Sequence, residues 1–507
     1  MGLAITSSVA LTGLIGHLID VEVDISDGLP GYVLLGLPDA ALNESKDRVR
    51  AALVNSGEAW PNKKVTVSLS PAWLPKSGSG FDLPIAIALL MAQGLIPKDE
   101  IGKTIYLGEL SLDGQVRSIR GVLPAVLAAK KSGFVRALVP FKNYSEAKCV
   151  FGIEVISINS LGDALRYLRS GEIPEAPNEI ELGDSDYFLD LCDVAGQLGA
   201  RKALEVAAIG GHHLLFIGPP GTGKTMLAER IPSILPPLDD ESILEVTAIH
   251  SIAGTLLDRA LLSKLPPFVS PHHTTTAPAM IGGGAHAIRP GATSLAHEGV
   301  LFIDEAPECA RGVLDSLRQP LESGHVTISR AVGSVTYPAR FMLVLAANPC
   351  PCGKFSGRGR SCTCTQVAIR RYLQRLSGPL LDRIDIRVFV DSPSRVEMAS
   401  DQLGESSETV RARVILAREI ADVRFADCTW KLNSQIPPSE LRKRFRAEKQ
   451  GMNFLHTELD NERLSARGFH KVLRISWSIA DSHGHTVPNR EDVESAFRLR
   501  EGMELLA

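Results

Sequence analysis

The chain has 507 residues, of which 44% are hydrophobic and 22% are charged. One hydrophobic core rarely grows to this size, so the length predicts two to four domains of an ordinary globular protein. The net charge of −4 excludes a strong overall attraction to nucleic acid, so any such role depends on a local basic surface.

The sequence predicts neither a membrane segment nor an export signal. Residues 1–20 are fairly apolar, but they lack a basic start and a small-residue cleavage site and are more typical of a strand. The longest apolar run, residues 83–97, is interrupted by Gln93 and Gly94 and is shorter than the ~20 residues that span a bilayer. Several of the eight cysteines are isolated, so a disulfide framework is not expected, and we predict a reducing, cytoplasmic location.

The first predicted domain covers residues 1–172 and mixes strands with helices. Strand-like runs occupy residues 65–69, 105–107, 137–139 and 155–158, and helix-like runs occupy residues 81–93 and 121–132. Residues 171–186 then contain two prolines, four glutamates and two aspartates with little apolar content. This composition predicts a linker over residues 173–189.

The second predicted domain, residues 190–395, alternates strands with helices, which indicates a mostly parallel sheet with crossover helices. Its clearest strands are expected at residues 214–217, 300–303, 341–346 and 386–390. The last domain, residues 396–507, is predicted to be an α-helical bundle that packs against the second. Its helices are expected at residues 396–401, 407–425, 439–450, 466–482 and 490–500.

A phosphate-binding loop follows the strand at residues 214–217 and opens a helix that is predicted to begin near Met226. Glycines in such a loop let backbone N–H groups surround phosphates. Lys224 is expected to reach the β- and γ-phosphate oxygens, and Thr225 to ligate Mg²⁺. The predicted ATP-binding residues are Gly218, Pro219, Pro220, Gly221, Thr222, Gly223, Lys224, Thr225 and Met226.

A second apolar strand ends in two carboxylates, Asp304 and Glu305, about 80 residues after Lys224. Asp304 is expected to hold Mg²⁺, directly or through water, and Glu305 to polarise the attacking water. Many buried strands end in acidic residues, so the two carboxylates alone are weak evidence for a nucleotide site. They become strong evidence because a phosphate-binding loop precedes them. Together the two motifs predict an ATP hydrolase.

Three further residues complete the predicted catalytic set. Asn348 ends the strand at residues 341–347, where its amide could sense the γ-phosphate or could merely cap the turn before Pro349. Arg383 lies in a buried-looking run between Asp382 and Asp385, which suggests a guanidinium presented to a neighbouring subunit's site. Arg467 lies at the start of a helix in the last domain. It is the residue that we predict to sense closure of that domain.

These motifs resemble the AAA+ clade of the magnesium chelatase ATPase subunit and the MCM helicases, and more narrowly the YifB/ComM family. The resembling runs, in chain order, are residues 210–213, 270–274, 294–305, 348–353 and 377–383. The resemblance implies a three-layer α/β P-loop core with a helical lid, assembled as a homohexamer with active sites at subunit interfaces. For ComM it implies ATP-driven branch migration of DNA during natural transformation, with single-stranded or branched DNA and recombination proteins as partners.

Residues 76–127 also resemble the proteolytic domain of Lon, an α+β fold that uses a serine nucleophile and a lysine base. When the motifs are matched, the serine position falls on Gly80 and the lysine position on Leu123. Neither residue can perform those roles. The resemblance therefore predicts a non-proteolytic domain that helps to assemble the ring or grips a substrate.

Two insertions of the second domain are candidates for DNA contact. Residues 326–329 and 334–337 flank a turn and predict a hairpin, with Arg330 at its tip. Helicases of the resembling clade insert a hairpin into the ring's pore at this place, although an ordinary surface hairpin fits the pattern equally well. The glycine-rich residues 280–290, with His286 and Arg289, suggest a companion pore loop.

Four cysteines crowd into fifteen positions of a loop that is rich in glycine and arginine. They are Cys350, Cys352, Cys362 and Cys364. Four thiolates could hold Zn²⁺ and so order a loop with little hydrophobic content, although the C-x-C pairs are tighter than the usual spacing and the thiols could instead be reduced and unliganded.

The same loop is basic. Between Lys354 and Arg387 there are eight basic residues and two acidic ones, and Lys354, Arg358 and Arg360 could bind the phosphates of DNA. The sequence thus leaves three functions open. These are a hexameric DNA motor, a chelatase-like or protein-remodelling ATPase, and a nucleotide-switched binding protein.

Overall fold

The computed structural model describes residues 2–74, 76, 78–97, 103–177, 189–256, 261–284, 288–330, 333–355, 362–391 and 404–502. The helix predicted at residues 396–401 and most of the predicted linker lie outside these ranges. Within them, no helix combines the length and apolar character that a transmembrane span requires.

The N-terminal region is built on a mixed seven-stranded sheet. Its strands, with one small separate pair (β6 and β7), are β1 (Gly2–Thr12), β2 (Ile15–Ser26), β3 (Gly31–Leu35), β4 (Lys64–Ser70), β5 (Thr104–Tyr106), β6 (Glu109–Leu110), β7 (Val116–Arg117), β8 (Arg136–Pro140) and β9 (Glu154–Ile158). The order in the sheet is β3-β4-β2-β1-β5-β8-β9. The apolar N-terminus predicted as a strand forms the antiparallel hairpin of β1 and β2, in which Thr12 faces Ile15.

Helices cover this sheet. They are α1 (Ala40–Asn43), α2 (Ser45–Asn55), α3 (Asp82–Ala92), α4 (Val122–Lys131), α5 (Tyr144–Lys148) and α6 (Leu161–Ser170). Strand β4 places Val65, Val67 and Leu69 on the buried face in alternation, as expected for a sheet with one face against a core. Helix α3 is buried along almost its whole length, which explains its continuous apolar sequence.

The central region contains a five-stranded parallel sheet. The strands of this region, including two antiparallel hairpins outside that sheet, are β10 (Leu214–Ile217), β11 (Phe268–Val269), β12 (Gly282–Gly283), β13 (Arg289–Pro290), β14 (Gly299–Ile303), β15 (His325–Arg330), β16 (Gly333–Pro338), β17 (Phe341–Ala347) and β18 (Ile386–Phe389). The order in the parallel sheet is β11-β14-β17-β10-β18. Every residue of β14 and β17 is buried, because helices cover both faces of the sheet.

The helices of the central region connect these strands. They are α7 (Leu198–Gly210), α8 (Lys224–Glu229), α9 (Ile231–Ile234), α10 (Asp240–Ala253), α11 (Ala277–Ile281), α12 (Ala292–Leu295), α13 (Arg311–Ser316), α14 (Arg318–Ser323), α15 (Gln366–Leu373) and α16 (Gly378–Leu381). The predicted α/β core is confirmed. The hairpin predicted around residue 330 is also present, with β15 and β16 antiparallel and Arg330 facing Gly333.

The C-terminal region is helical, as predicted. Its helices are α17 (Ser407–Arg424), α18 (Pro438–Lys443), α19 (Lys449–Asp460), α20 (Ala466–His483) and α21 (Arg490–Glu501). The prediction of one helix over residues 439–450 is wrong, because the chain leaves the helical path between α18 and α19. There the buried ring of Phe445 packs on Trp477, and the Phe445 carbonyl accepts a hydrogen bond of 3.0 Å from the Trp477 indole.

Specific contacts join the three regions. On the N-terminal side, the Ser251 hydroxyl of α10 donates to the buried Glu146 carboxylate of α5 at 2.7 Å. Burial, the largest influence, raises the pKa of Glu146. On the C-terminal side, the Lys471 ammonium of α20 lies 2.8 Å from Asp385, just before β18. The central sheet is therefore fixed to both neighbours through buried polar groups.

Candidate nucleotide-binding site

The phosphate loop lies between β10 and α8. Gly223 adopts the left-handed conformation, with φ of 88°, and α8 begins at Lys224, two residues before the predicted start at Met226. A β-carbon on Gly218 would overlap the carbonyl oxygen of Val390, so only glycine fits where the loop leaves the sheet. Thr222 is buried, whereas Gly221 and Thr225 are exposed and available to a ligand.

Lys224 is held over this loop. Its ammonium donates to the carbonyl oxygens of Gly218 and Pro219, both at 2.7 Å, and to the amide oxygen of Asn348 at 3.3 Å. Burial lowers the pKa of Lys224, and the nearby carboxylates of Asp304 and Glu305 partly oppose that effect. The structure thus brings the predicted strand-end amide to the predicted phosphate-binding lysine.

Thr225 and Asp304 meet although they are far apart in sequence. The Thr225 hydroxyl donates to the Asp304 carboxylate at 2.9 Å, because β14 and β10 end at the same edge of the parallel sheet. A hydroxyl and a carboxylate are the oxygen ligands that Mg²⁺ accepts beside phosphates. These side chains therefore fit the ion that ATP chemistry requires.

Glu305 is held in an unusual conformation beside this pair. It has φ of 48°, and its backbone N–H donates to the Asp304 carboxylate at 2.8 Å. Its own carboxylate lies 3.5 Å from the Nδ1 atom of His273, which follows β11 at the edge of the sheet. The sequence predicts no role for His273, because its proximity to Glu305 depends on the pairing of β11 with β14.

A second residue of the site that the sequence analysis missed is Gln197. It precedes α7 with φ of 57°, and its side-chain amide donates to the carbonyl oxygen of Thr222 at 3.4 Å and to that of Asp391. The amide thereby ties the phosphate loop to the end of β18. The sequence alone gives no sign of this role, because both contacts depend on how the start of α7 packs against the phosphate loop.

Among the residues that the structure describes, neither Arg383 nor Arg467 forms a hydrogen bond to the phosphate loop. In the described ranges Arg383 bonds to the Glu322 carboxylate and the Pro379 carbonyl oxygen. The exposed Arg467 donates to the Asp382 carboxylate at 3.2 Å, one residue before Arg383. The helical region therefore contacts the segment that carries Arg383.

The four cysteines form a compact cluster. The sulfur of Cys350 lies 3.3 Å from that of Cys352 and 3.7 Å from that of Cys362, and all four sulfurs lie within 4.8 Å of one another. A tetrahedral zinc site with bonds of about 2.3 Å has sulfur–sulfur edges of about 3.8 Å. The spacing therefore fits one zinc ion, and it is far too long for a disulfide.

The thiols of this cluster also titrate unevenly. The backbone N–H of Lys354, helped by the neighbouring thiols, lowers the pKa of Cys352 to about 6, whereas the pKa of Cys362 is raised to about 12. Desolvation and hydrogen bonds with the neighbouring thiols are the influences that raise the pKa of Cys362. A divalent cation would favour the thiolate form of all four residues.

The two insertions proposed to contact DNA lie side by side. A β-carbon on Gly283 would lie 3.4 Å from the Arg330 guanidinium, and Gly283 pairs with Arg289 across the hairpin of β12 and β13. The Tyr337 hydroxyl donates to the Ile288 carbonyl oxygen at 2.8 Å, which joins the two hairpins. Arg330, Arg289 and Lys354 are all exposed, while His286, Arg358 and Arg360 lie outside the described residues.

The Lon-like segment shows no Ser–Lys pair among the residues that the structure describes. Leu123 is fully buried in the core. The buried Lys76 ammonium donates to the carbonyl oxygens of Leu69, at 2.9 Å, and Pro71, and the Ser79 hydroxyl donates to Glu109. The lysine and serine nearest to the matched motif are thus engaged with other partners.

Comparison with known families defines the class of this protein. The family model described as magnesium chelatase, subunit ChlI, matches residues 190–398. A model described as subunit ChlI of Mg-chelatase matches residues 21–143, and one for the ChlI C-terminal region matches residues 404–500. The chain is therefore a magnesium chelatase-like AAA+ protein, and these matches together extend over its three regions.

Relatives that match the full length of the chain identify its family within this class. An uncharacterised protein of Mycobacterium tuberculosis is 48% identical over 506 residues, covering 99% of each chain. Competence protein ComM of Haemophilus influenzae is 40% identical over 513 residues, covering 100% of this chain and 99% of the relative. The uncharacterised protein YifB of Escherichia coli is 40% identical over 501 residues, covering 99% and 97%. The chain belongs to the YifB/ComM family.

The N-terminal resemblance to Lon also has support. A Lon protease of Mycolicibacterium smegmatis is 27% identical over 146 residues, covering 27% of this chain and 18% of that enzyme. This local similarity agrees with the mixed α/β fold of the N-terminal region.

Proposed function

We propose that the chain hydrolyses ATP and uses the energy to move and remodel DNA as a ring of identical subunits. The observation that carries the proposal is the meeting of Thr225 and Asp304 at 2.9 Å, beside a lysine that already contacts Asn348. This arrangement assembles, from three separated segments of the sequence, the side chains that a triphosphate and its magnesium ion require.

In this proposal each side chain of the site has one task. Lys224 exchanges its loop carbonyls for phosphate oxygens, and Thr225 and Asp304 hold the magnesium ion. That ion neutralises charge on the phosphates when it is bound. Glu305 takes a proton from the attacking water, with its carboxylate positioned by His273, and Asn348 orients that water beside the γ-phosphate.

The site is completed by a neighbouring subunit. Arg383 is the finger that stabilises the transition state in trans, and Arg467 transmits movement of the helical region to the Arg383 segment through Asp382. The contact of Arg467 with Asp382, and the absence of a described bond from Arg383 to its own phosphate loop, support this division. We accordingly propose a homohexamer.

DNA passes along the paired insertions. Arg330 and Arg289 are exposed cations on adjacent hairpins, suited to the phosphates of a strand in the ring's pore. Lys354, with Arg358 and Arg360, supplies a second basic surface. The relative named as a competence protein supports a cellular use in natural transformation. Branch migration of DNA, in transformation or recombination, is the activity that we propose there.

We further propose domains at residues 1–172, 190–395 and 396–507, joined by a linker at residues 173–189. The N-terminal domain serves ring assembly or substrate grip without proteolysis. The four-cysteine cluster, whose sulfur spacing matches tetrahedral coordination, holds one Zn²⁺.

The deciding experiment measures ATP turnover of the full-length protein with and without forked and single-stranded DNA. We expect DNA to raise the turnover, and Arg330→Ala to reduce this stimulation more than Arg490→Ala, an equally charged and exposed control on α21. Turnover that no DNA changes, with DNA binding intact in Arg330→Ala, would favour a chelatase-like or protein-remodelling ATPase. ATP binding with almost no turnover would favour the nucleotide-switched binding protein.

A further inference from the structure

The end of β17 and the segment that follows it touch the phosphate loop at three points. The Gly218 N–H donates to the Ala347 carbonyl oxygen at 3.2 Å. One residue later, the Asn348 amide oxygen receives a hydrogen bond from the Lys224 ammonium at 3.3 Å. Because these contacts lie on one short stretch of chain, the position of that stretch sets the shape of the loop.

The third contact lies beyond the first two cysteines. Gly353 is buried against the exposed ring of Pro220, so closely that a β-carbon on Gly353 would lie 2.7 Å from the ring. Gly353 also has φ of 73°, a conformation that favours glycine, and its N–H donates to the Cys350 carbonyl oxygen at 2.9 Å. The turn that contacts Pro220 is therefore built on Cys350 and Cys352.

The two cysteines thus lie between the contacts to Lys224 and to Pro220. Their sulfurs, 3.3 Å apart, meet those of Cys362 and Cys364, which begin the approach to α15. Residues 351–363 contain a single large apolar side chain, Phe355, which is 38% exposed. Hydrophobic burial therefore contributes little to the stability of this turn. Another interaction must hold the turn against the phosphate loop.

We propose that Zn²⁺ bound by Cys350, Cys352, Cys362 and Cys364 is a brace that holds the phosphate loop in its nucleotide-binding shape, so that ATP affinity depends on zinc. This inference rests on the proposed nucleotide site and adds a metal-dependent control to it. Loss of zinc frees residues 348–353, and with them the contacts to Lys224 and Pro220. The loop then has to be ordered by the nucleotide itself, which weakens binding.

The test uses the full-length protein and two independent readouts. Bound metal is measured by elemental analysis and, after Co²⁺ exchange, by thiolate-to-cobalt absorption. Nucleotide affinity is measured with a fluorescent ATP analogue and Mg²⁺. The double variant Cys362→Ser/Cys364→Ser removes two ligands without touching the loop contacts, and Cys428→Ser is the control because its thiol lies outside the cluster.

We expect one zinc per wild-type chain, lost in the double variant together with a fall in analogue affinity of about tenfold or more. Cys428→Ser should keep both its zinc and its affinity for the analogue. Gly353→Ala should keep its zinc but lose affinity, since the added methyl displaces Pro220. If the double variant does not fold, chelation of wild-type protein followed by zinc return should lower and then restore affinity.

Each contrary result removes a defined part of the inference. A wild-type chain that binds neither Zn²⁺ nor Co²⁺ overturns the metal site. A zinc-free chain that binds the analogue as tightly as the zinc-loaded chain overturns the brace and leaves the metal site standing. A zinc-loaded wild-type chain that binds no nucleotide overturns the proposed function itself.

Discussion

The Lys224 ammonium donates hydrogen bonds to the carbonyl oxygens of Gly218 and Pro219 and to the amide oxygen of Asn348. A triphosphate offers stronger acceptors than these neutral oxygens, so exchange of partners at this one ammonium couples ligand binding to the shape of the loop. In the proposed mechanism the same exchange releases Asn348 toward the γ-phosphate. Nucleotide binding would then be a competition between loop oxygens and phosphate oxygens for the Lys224 ammonium.

Glu305 is the side chain whose loss should separate binding from hydrolysis. Glu305→Gln keeps the size of the side chain but removes the base, so we expect ATP to bind with nearly unchanged affinity and turnover to fall by about 100-fold or more. Single-turnover kinetics and analogue binding measure the two quantities. Glu308→Gln, on an exposed carboxylate three residues away, is the control, and near-normal turnover in Glu305→Gln would remove Glu305 from the role of base.

His273 should act through Glu305 rather than on the nucleotide. Its Nδ1 atom lies 3.5 Å from that carboxylate, so His273→Ala should lower kcat by about tenfold while leaving KM almost unchanged, because ground-state contacts to ATP remain. His272→Ala should have a smaller effect, since its Nδ1 atom bonds to Thr274. An equal loss in both variants, or a rise in KM alone, would assign His273 a merely structural role.

The sequence predicts roles for Lys224, Thr225, Asp304 and Glu305 because each motif is contiguous and its chemistry is local. His273, Gln197 and Glu322 could not be assigned in the same way. Each contacts a residue that is distant in the chain, and the contact exists only after β11, α7 and α14 have packed around the sheet. Long-range pairing, rather than residue type, decides such roles.

The strands of the central sheet carry a pH-sensitive group at the start of β10. His213 accepts a hydrogen bond at Nδ1 from the Leu343 N–H at 3.1 Å, and burial lowers its pKa to about 4. In the unfolded chain a histidine has a pKa of about 6.5, so only the unfolded state gains a proton as the pH falls from about 6.5 toward 4. The neutral ring therefore favours folding at neutral pH, and this advantage declines in that window.

We expect the unfolding free energy of the wild-type chain to fall more steeply between pH 6.5 and 4 than that of His213→Gln, by a few kcal/mol at most. Denaturant titrations of both proteins at several pH values measure the difference, and other titrating groups cancel in the comparison. Parallel pH profiles for the two proteins would show that His213 is not held neutral in the fold.

Helices and strands with a strong hydrophobic periodicity were predicted well, whereas elements shaped by tertiary packing were not. The buried run of β17 and the amphipathic α20 follow from the sequence pattern alone. The break between α18 and α19 does not, because it exists to place Phe445 among Phe425, Trp430 and Trp477. Helical periodicity continues through that point even though the backbone does not.

The three regions of the molecule are linked by buried polar contacts rather than by apolar packing alone. Asp385 receives the Lys471 ammonium at 2.8 Å and the His213 backbone N–H at 3.1 Å. Burial alone would raise the pKa of Asp385, but the Lys471 ammonium overrides it and holds the pKa well below its ordinary value. A charged pair of this kind fixes the helical region to the sheet edge next to the Arg383 segment.

Removing one member of this pair should therefore loosen the molecule. Lys471→Met leaves Asp385 buried without its ammonium partner, and we expect a loss of about 3–5 kcal/mol in unfolding free energy, measured by denaturant titration. Lys449→Met, on the exposed start of α19, should change stability by less than about 0.5 kcal/mol. Equal stabilities for the two variants would show that the pair does not bind the helical region to the core.

The linear order of the three regions could be predicted, because composition and periodicity change between them. The contacts through which the regions dock against one another could not be predicted. The contacts of Ser251 with Glu146, and of Lys471 with Asp385, join single polar residues whose sequence surroundings give no hint of a partner. The bonds of Arg383 to Glu322 and to the Pro379 carbonyl oxygen are likewise visible only in three dimensions. Because these partners lie outside the phosphate loop, they agree with the central proposal that Arg383 serves a second subunit.

The central proposal is that each ATP site is completed by the arginine of a second subunit. The direct measurement is ATP turnover on forked DNA for mixtures of Lys224→Ala and Arg383→Ala chains, each inactive alone. A mixed ring contains interfaces with both an intact phosphate loop and an intact Arg383, so turnover should recover and peak near equal proportions. Mixtures that assemble into rings and stay inactive at every ratio would contradict the shared site.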